Sequence, residues 1–227
     1  MEKKNYILLF LQIAAIAVSG VFGGDTTFAL ITALIGITFN FLVSMNIASG
    51  FLFGFVYAVC NGILAWQTNV YATFVFMIFM QAPMALYSLR KWHGKKKETE
   101  AIMKKMDRRE LTSMVVGAIV LFVIMTGILS AINGAFNANV LFDTFFFVCS
   151  VTACIGLAAC YKNAYIVKLG SGIGGTILWL YKAITMETGI SMAVFFAIVA
   201  LNSALAVQQQ YGKSSRRAAV EFVEQGI

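Results

Sequence analysis

Residues 170–175 read GSGIGG, and Gly170, Gly172 and Gly175 have the spacing of the phosphate-binding loop in dinucleotide-binding folds. In such folds the glycines let the backbone approach a pyrophosphate, after a buried strand and with an acidic residue about 20 positions further on. Here an apolar run follows the hexapeptide, and the next acidic residues are Glu187 and Glu221. A phosphate site is one interpretation, and a helix face without side chains is the other.

A second set of residues could bind a planar organic ligand through an aromatic ring and amide groups. Tyr57 and Asn61 lie four residues apart, which places them on one face of a helix. Gln81 precedes Pro83, the single proline, which cannot donate to the carbonyl four residues back, so we expect a kink there. We expect Gln81 to face a ligand, whereas Asn61 could bind a ligand or a neighbouring helix.

Three further aromatic residues, Trp66, Trp179 and Tyr181, could stack on the ring of a ligand. Each lies near the end of an apolar segment, so each could equally anchor its segment at the membrane interface. Two other amides inside apolar segments, Asn40 and Asn202, are expected to join helices by hydrogen bonds.

The composition indicates which elements carry these residues. Of 227 residues, 60% are hydrophobic and 12% are charged, whereas soluble domains have about 25% charged residues. The long apolar runs lack strand-like alternation and approach the roughly 17–25 residues that a membrane-spanning helix needs. We therefore predict an all-α integral membrane protein with about eight spans, at Tyr6–Phe22, Thr27–Val43, Gly50–Trp66, Tyr71–Leu89, Leu111–Ile132, Val140–Cys160, Tyr165–Tyr181 and Thr188–Val207.

The net charge of +7 is concentrated near both termini and in the loop of residues 90–110. With eight spans these three regions lie on one side, and the positive-inside rule places them in the cytoplasm. This distribution argues against a nucleic-acid-binding surface, because the basic residues flank spans instead of covering one face of a soluble domain. The first apolar segment follows a basic stretch, so a cleaved signal peptide stays an alternative to a retained helix.

The chain also contains a weak internal repeat. A shift of about 115 residues superposes Thr27–Leu89 on Phe142–Ala204. Two triplets joined by one linker span predict a 3+1+3 arrangement of parallel repeats plus an extra N-terminal helix, because an odd linker restores the direction of the second triplet. The predicted divisions are an N-terminal helix 1–26, a first repeat 27–89, a basic cytoplasmic loop 90–110, a linker helix 111–138, a second repeat 139–208 and a cytoplasmic tail 209–227.

Small residues recur every four positions on the middle helix of each repeat. They are Gly50, Gly54, Ala58 and Gly62 in the first repeat, and the pairs Gly170/Gly174 and Ser171/Gly175 in the second. Such stripes let helix backbones approach each other in a membrane. We therefore interpret the hexapeptide as a helix-packing face, which could also leave room for a ligand, and not as a dinucleotide loop.

A membrane enzyme would need clustered carboxylates, histidines or metal ligands. The chain has ten acidic residues, most of them in predicted loops, and one histidine. Its four cysteines lie in apolar segments without a C-x-x-C motif. We expect no enzymatic activity, no metal site and no cofactor.

Residues 53–71, FGFVYAVCNGILAWQTNVY, resemble a motif of the PnuC family of vitamin and nucleoside transporters. The matching residues are Phe53, Gly54, Ala58, Ala65, Gln67 and Tyr71. Further matches are Pro83, Asp143, Thr144 and residues 179–181, and the resemblance covers roughly residues 27–209. It implies a uniporter of a bacterial cytoplasmic (inner) membrane, working by facilitated diffusion and alternating access.

The resemblance also implies the substrate class: nicotinamide riboside, thiamine, a deoxynucleoside or riboflavin, trapped after import by a cytoplasmic kinase. The family motif that enters the seventh span has Trp, Trp and Asn where this chain has Tyr165, Lys168 and Gly172. These differences favour a deoxynucleoside, with nicotinamide riboside or thiamine as alternatives. Membrane lipids are the other expected partner, and a homo-oligomer stays open.

Two more residues become candidates through these comparisons. Lys168 occupies a binding position of the family, although its chain could instead extend to the membrane surface. Thr176 occupies the repeat position of Asn61. The predicted substrate-binding residues are Tyr57, Asn61, Trp66, Gln81, Lys168, Thr176, Trp179 and Tyr181.

Overall fold

The computed structural model describes residues 3–68, 70–93, 96–97, 100–101, 103–186 and 189–224. Parts of the predicted basic loop and the last three residues of the predicted tail lie outside these ranges. The described chain forms eight helices: α1 Lys3–Phe22, α2 Thr27–Ser44, α3 Gly50–Gln67, α4 Tyr71–His93, α5 Arg108–Asn133, α6 Ala138–Ala158, α7 Ala164–Met186 and α8 Ile190–Glu224. Two short antiparallel strands, β1 Lys96–Lys97 and β2 Glu100–Ala101, lie between α4 and α5.

The prediction of an all-α, multi-pass membrane protein is confirmed. Seven of the eight described helices are long and apolar enough to cross a membrane, and α7, which carries Lys168 and Lys182, is the exception. The eighth helix is longer than predicted, because the polar residues after Val207 continue it to Glu224. That extension contains no proline and is rich in Gln, Arg, Ala and Glu, which favour helix.

Local capping signals set several helix ends. The Thr26 side chain accepts a hydrogen bond from the Ala29 N–H at the start of α2, and Asn137 does the same for Val140 at the start of α6. The N-terminus of α5 has a capping box formed by Asp107 and Glu110. Each of these residues satisfies a backbone N–H group at the start of its helix.

Six of the helices form a closed ring. Within each triplet the helices pack in chain order, α2 on α3 on α4 and α6 on α7 on α8. The ring closes where α4 packs on α6 and α8 packs on α2. Outside the ring, α1 packs on α2 and α8, and α5 packs on α6. This pattern of contacts is what two three-helix repeats with one linker helix produce.

Polar contacts lie along the α4–α6 seam and between α7 and α2. On the α4–α6 seam, Trp92 Nε1 donates to the Leu157 carbonyl at 2.9 Å. At the other end of the same seam, Thr73 Oγ1 donates to Asp143 Oδ1 at 3.3 Å. The Tyr165 hydroxyl of α7 donates to the Val43 carbonyl of α2 at 2.7 Å. These bonds join the first triplet to the second.

Asn202 joins two helices, as expected. It exchanges two hydrogen bonds with Gln12 of α1, of 2.6 and 3.1 Å. Asn40 behaves differently, because its Nδ2 donates to the Gly36 carbonyl of its own helix at 2.9 Å. The prediction of an interhelical bond through this amide is therefore corrected for Asn40.

The small residues are contact points between helices. A Cβ on Gly172 would lie 2.6 Å from the backbone nitrogen of Ala200 in α8, and one on Gly175 would lie 2.5 Å from the Phe196 ring. In the first triplet, a Cβ on Gly54 would lie 2.7 Å from the Phe39 ring. The hexapeptide thus lies within α7 and packs against α6 and α8, and the dinucleotide-loop interpretation is excluded.

Helix α4 is interrupted in its middle. Residues Met77–Gln81 form a π-helical turn, and the Ala82 N–H donates to the Met77 carbonyl five residues back. Pro83 has no N–H to give to Phe79, so a local widening of the helix is expected beside it. The interruption predicted from the proline therefore exists, and it takes the form of a π turn that includes Gln81.

Candidate functional site

A cavity lies inside the ring and receives side chains from all six of its helices. Its volume is about 70 Å³. The lining residues are Phe39, Asn40, Phe51, Tyr57, Phe76, Met77, Gln81, Met84, Ala85, Ser88, Phe146, Ser150, Ala153, Cys154, Leu157, Lys168, Ser171, Phe195, Phe196 and Val199. Since both triplets contribute, the cavity lies at the interface between the repeats, where small transporters bind their substrates.

Aromatic rings form much of the wall. The rings of Phe39 and Tyr57 stack with centroids 6.1 Å apart and an interplanar angle of 26°. Tyr57 also contacts Phe195 at 5.5 Å, and Phe196 lies 4.8 Å from Phe195 and 4.9 Å from Phe146. Such a chain of rings offers faces and edges on which a flat heterocycle can stack.

A few polar groups interrupt this aromatic wall. Gln81 is buried and lines the cavity from the π turn of α4. The hydroxyl oxygens of Ser150 and Ser171 lie 2.7 Å apart and join α6 to α7. A cavity with a mainly aromatic wall and a few convergent polar groups is typical of a small-molecule site.

Lys168 places an amino group in this wall. The residue is only 6% exposed, and its Nζ has no hydrogen-bond partner among the described residues. The nitrogen lies 5.5 Å from the centroid of the Phe39 ring, within the range of a cation–π contact. Every lining residue is described, and none of them is acidic. The expected alternative, a lysine extended to the membrane surface, does not occur.

Asn61 lies one turn behind the wall. Its Nδ2 donates to the Tyr57 hydroxyl at 3.1 Å, while its buried Oδ1 has no partner among the described residues. Asn61 does not line the cavity, so it acts on the cavity by holding the Tyr57 hydroxyl. The sequence placed these two residues on one face, and the structure makes Tyr57 the wall and Asn61 its support.

Four of the predicted residues lie outside the cavity. Trp66 is 58% exposed and packs against Tyr71 and Phe74 at the helix surface. Tyr181 is also exposed and contacts Phe142. Neither residue lines the cavity.

The other two are directed into helix contacts. Trp179 is buried against Gly189, where a Cβ would lie 2.8 Å from its ring. The Thr176 hydroxyl donates to the Gly172 carbonyl of its own helix at 2.8 Å. The cavity therefore brings together Tyr57, Gln81 and Lys168 of the eight predicted residues, with Asn61 behind them.

The sequence did not single out several lining residues. The rings of Phe39, Phe195 and Phe196 come from α2 and α8, which are too rich in apolar residues for periodicity to select one face. Ser171 had a signal, because it lies in the small-residue stripe of α7 that was expected to leave room for a ligand. Asn40 had one too, as an amide inside an apolar segment.

Three comparisons with known proteins bear on this arrangement. The family model described as "Nicotinamide mononucleotide transporter" matches residues 26–206. A solved structure described as "Crystal structure of the Vitamin B3 transporter PnuC" is similar with a TM-score of 0.80 and 16% sequence identity, over 95% of this chain and 94% of that chain. No curated protein matches the chain.

The family model extends over the whole ring and the linker helix. The solved structure has the same fold along nearly its entire length. The residues inside the ring, the order of the helices and the family match agree on one assignment. The chain belongs to the PnuC family of membrane transporters, the nicotinamide mononucleotide transporter family.

Proposed function

We propose that this protein is a uniporter that imports a nucleoside-like metabolite, with a deoxynucleoside as the favoured substrate. The observation that carries the proposal is the aromatic cavity at the interface of the two triplets, with Tyr57, Gln81 and Lys168 in its wall. Rings that stack on a heterocycle and an amide that hydrogen-bonds its edge are the two parts of base recognition.

The cavity must widen to hold such a substrate. Its volume of about 70 Å³ is well below the roughly 300–1,000 Å³ typical of small-molecule pockets. Alternating access supplies this change, because the two triplets can separate at the α4–α6 and α8–α2 seams. The compact cavity is then one state of the cycle, and substrate binding favours a wider one.

A passive mechanism agrees with the charges near the cavity. Its described lining contains no carboxylate that could relay protons, and the buried Asp143 lies at the α4–α6 seam outside it. Import down a gradient requires a sink, so phosphorylation by a cytoplasmic kinase is part of the proposal. Both termini and the basic loop are proposed to lie in the cytoplasm.

A vitamin is the second candidate. The description of the matching family model names nicotinamide mononucleotide, and that of the similar structure names vitamin B3. Nicotinamide riboside or thiamine could stack in the same aromatic cavity. Both carry a positively charged ring, however, and Lys168 in the wall opposes such a ring, which is why we place a deoxynucleoside first.

Transport by purified protein in liposomes tests the proposal. We expect labelled thymidine or deoxycytidine to exchange across the bilayer without an ion gradient, and excess unlabelled substrate to accelerate that exchange. Uptake that requires a proton or sodium gradient would refute the uniport mechanism. Exchange of nicotinamide riboside or thiamine without exchange of deoxynucleosides would favour the second candidate.

The proposed site is tested with a matched pair of variants. Gln81→Ala removes an amide from the cavity and should reduce exchange by about fivefold or more, since leaving the partner of a hydrogen bond unpaired costs about 1–3 kcal/mol and about 1.4 kcal/mol corresponds to a factor of ten. Trp66→Leu removes a large aromatic residue that faces outward and should leave exchange unchanged. Equal effects of the two variants would mean that the ligand does not occupy this cavity.

A further inference from the structure

The inference concerns Lys168 and deepens the proposed function, on which it rests. Among the buried polar atoms of the described side chains, Lys168 Nζ is an amine nitrogen without a hydrogen-bond partner, and in its protonated form it is an ammonium group with three donors. The other buried lysine of α7, Lys182, lies near Asp143 and outside the cavity. Lys168 thus differs from Lys182 in having no acidic partner close to it among the residues that the structure describes.

A buried and unpaired ammonium group is costly in a membrane protein. The Phe39 ring, 5.5 Å from Nζ, offsets a part of that cost through its negative face. The three donors of the ammonium group still lack acceptors. A ligand that brings an oxygen atom to this point would satisfy at least one of them.

We infer that Lys168 selects the charge of the substrate: it donates a hydrogen bond to an acceptor oxygen of a neutral or anionic nucleoside, and it excludes molecules whose ring is a cation. The acceptor is a carbonyl or hydroxyl oxygen in a nucleoside, or a phosphate oxygen in a nucleotide. Pyridinium and thiazolium rings bring a second positive charge into a cavity that has no carboxylate to compensate it.

The same residues that would stack the base bring it close to the lysine. Lys168 contacts the Phe39 ring, and Phe39 stacks on Tyr57. A heterocycle that inserts beside these rings therefore lies within the field of the ammonium group, with little solvent to screen it. Charge selection then acts at the point where the base is bound.

The test is a set of binding measurements on the purified full chain by calorimetry. The probes are thymidine, thymidine monophosphate, nicotinamide riboside and thiamine. The wild type should bind thymidine at least tenfold more tightly than either cationic probe. A hydrogen bond from a charged donor contributes about 1.5–3 kcal/mol, and about 1.4 kcal/mol corresponds to a factor of ten in affinity. Tighter binding of thymidine monophosphate than of thymidine would identify phosphate as the acceptor, and the reverse would identify an oxygen of the nucleoside.

Lys168→Met keeps the length of the side chain and removes its charge. It should lower the ratio of thymidine affinity to thiamine affinity at least tenfold, whereas Lys168→Arg should preserve the preference for thymidine. Lys182→Met is the matched control, because it removes the other buried lysine of α7 without touching the cavity. Lys168→Met should also unfold at the same temperature as the wild type or at a higher one, since it removes an unpaired buried charge.

The outcomes separate the inference from the proposed function. Wild-type protein that binds the cationic probes as tightly as thymidine overturns the inference and leaves the transport proposal intact. An unchanged ratio in Lys168→Met, or an equal change in Lys182→Met, overturns it as well. If none of the four probes binds, the proposed function fails and the inference fails with it.

Discussion

Gly36→Ala tests whether the rings of Tyr57 and Phe195 bound the substrate site. A Cβ at Gly36 would lie 2.6 Å from Tyr57 Cε2 and 2.9 Å from Phe195 Cζ. Carbon atoms pack at about 3.5–4.0 Å, so both rings must retreat by about 1 Å. Both line the cavity, and the added methyl group therefore acts on the binding site without removing any polar group.

The expected change in the free energy of unfolding of Gly36→Ala is the sum of two opposing effects. Alanine in place of glycine stabilises a helix by roughly 0.5–1 kcal/mol, whereas overpacking a filled interior costs about 1–3 kcal/mol. We expect a net loss of about 1 kcal/mol in the free energy of unfolding for Gly36→Ala. Gly117→Ala on α5 is the matched control: nothing lies within 4 Å of its Cβ position, so only the gain applies.

Thermal unfolding in detergent and calorimetric titration with thymidine provide the two measurements. Gly36→Ala should unfold at a lower temperature than the wild type and bind thymidine about fivefold more weakly, because about 1 kcal/mol corresponds to a factor of about five in affinity. Gly117→Ala should bind normally and unfold at an equal or higher temperature. If Gly36→Ala binds thymidine with wild-type affinity, the rings of Tyr57 and Phe195 do not bound the site.

Substitutions at three further contacts test their contributions. Tyr57→Phe and Asn61→Ala each break the hydrogen bond between these side chains, so each should weaken thymidine binding. The double variant should bind thymidine no more weakly than the single variant with the lower affinity. Additive losses of affinity in titration would contradict a shared role. Gln12→Leu and Asn202→Leu should each lower the unfolding temperature, since each leaves a buried amide unpaired at a cost of about 1–3 kcal/mol, and the double variant should lose less than the sum. Asp25→Ala removes the carboxylate that accepts hydrogen bonds from the backbone N–H groups of Gly189 and Ser191 at 2.7 and 2.8 Å, and should cost about 1 kcal/mol of stability; an unchanged melting curve would show that this contact does not hold the start of α8.

Much of the fold could be predicted from the sequence because the relevant signals are local. The length of each apolar run fixes a span, since the bilayer sets the number of helical residues that can cross it. Thr26, Asn137 and the Asp107–Glu110 pair mark helix starts by satisfying N–H groups a few residues away. The π turn near Gln81 had a signal too, because Pro83 lacks a donor.

The sequence predicted only some of the residues of the candidate site. The reason is that the rotation of a helix about its own axis depends on the helices packed against it and not on its own sequence alone. On α3, Tyr57 and Trp66 are nine residues apart, which at about 100° per residue places them on opposite faces. Both are aromatic residues in one apolar helix, and the sequence gives no reason to prefer either. Packing of α3 against α2 and α8 directs Tyr57 inward and leaves Trp66 at the surface.

The depth of a residue along α7 is likewise not enough, by itself, to predict which residues reach the cavity. Lys168 and Trp179 are eleven residues apart and lie near the same face, but about 16 Å separates them along the axis. The sequence alone determined the spans, the repeats and the small-residue contacts, which depend on composition and spacing within one segment. Only the tertiary structure decided that Lys168 meets the aromatic wall in a cavity whose described lining has no acidic residue, because that depends on which faces of six helices meet at one depth.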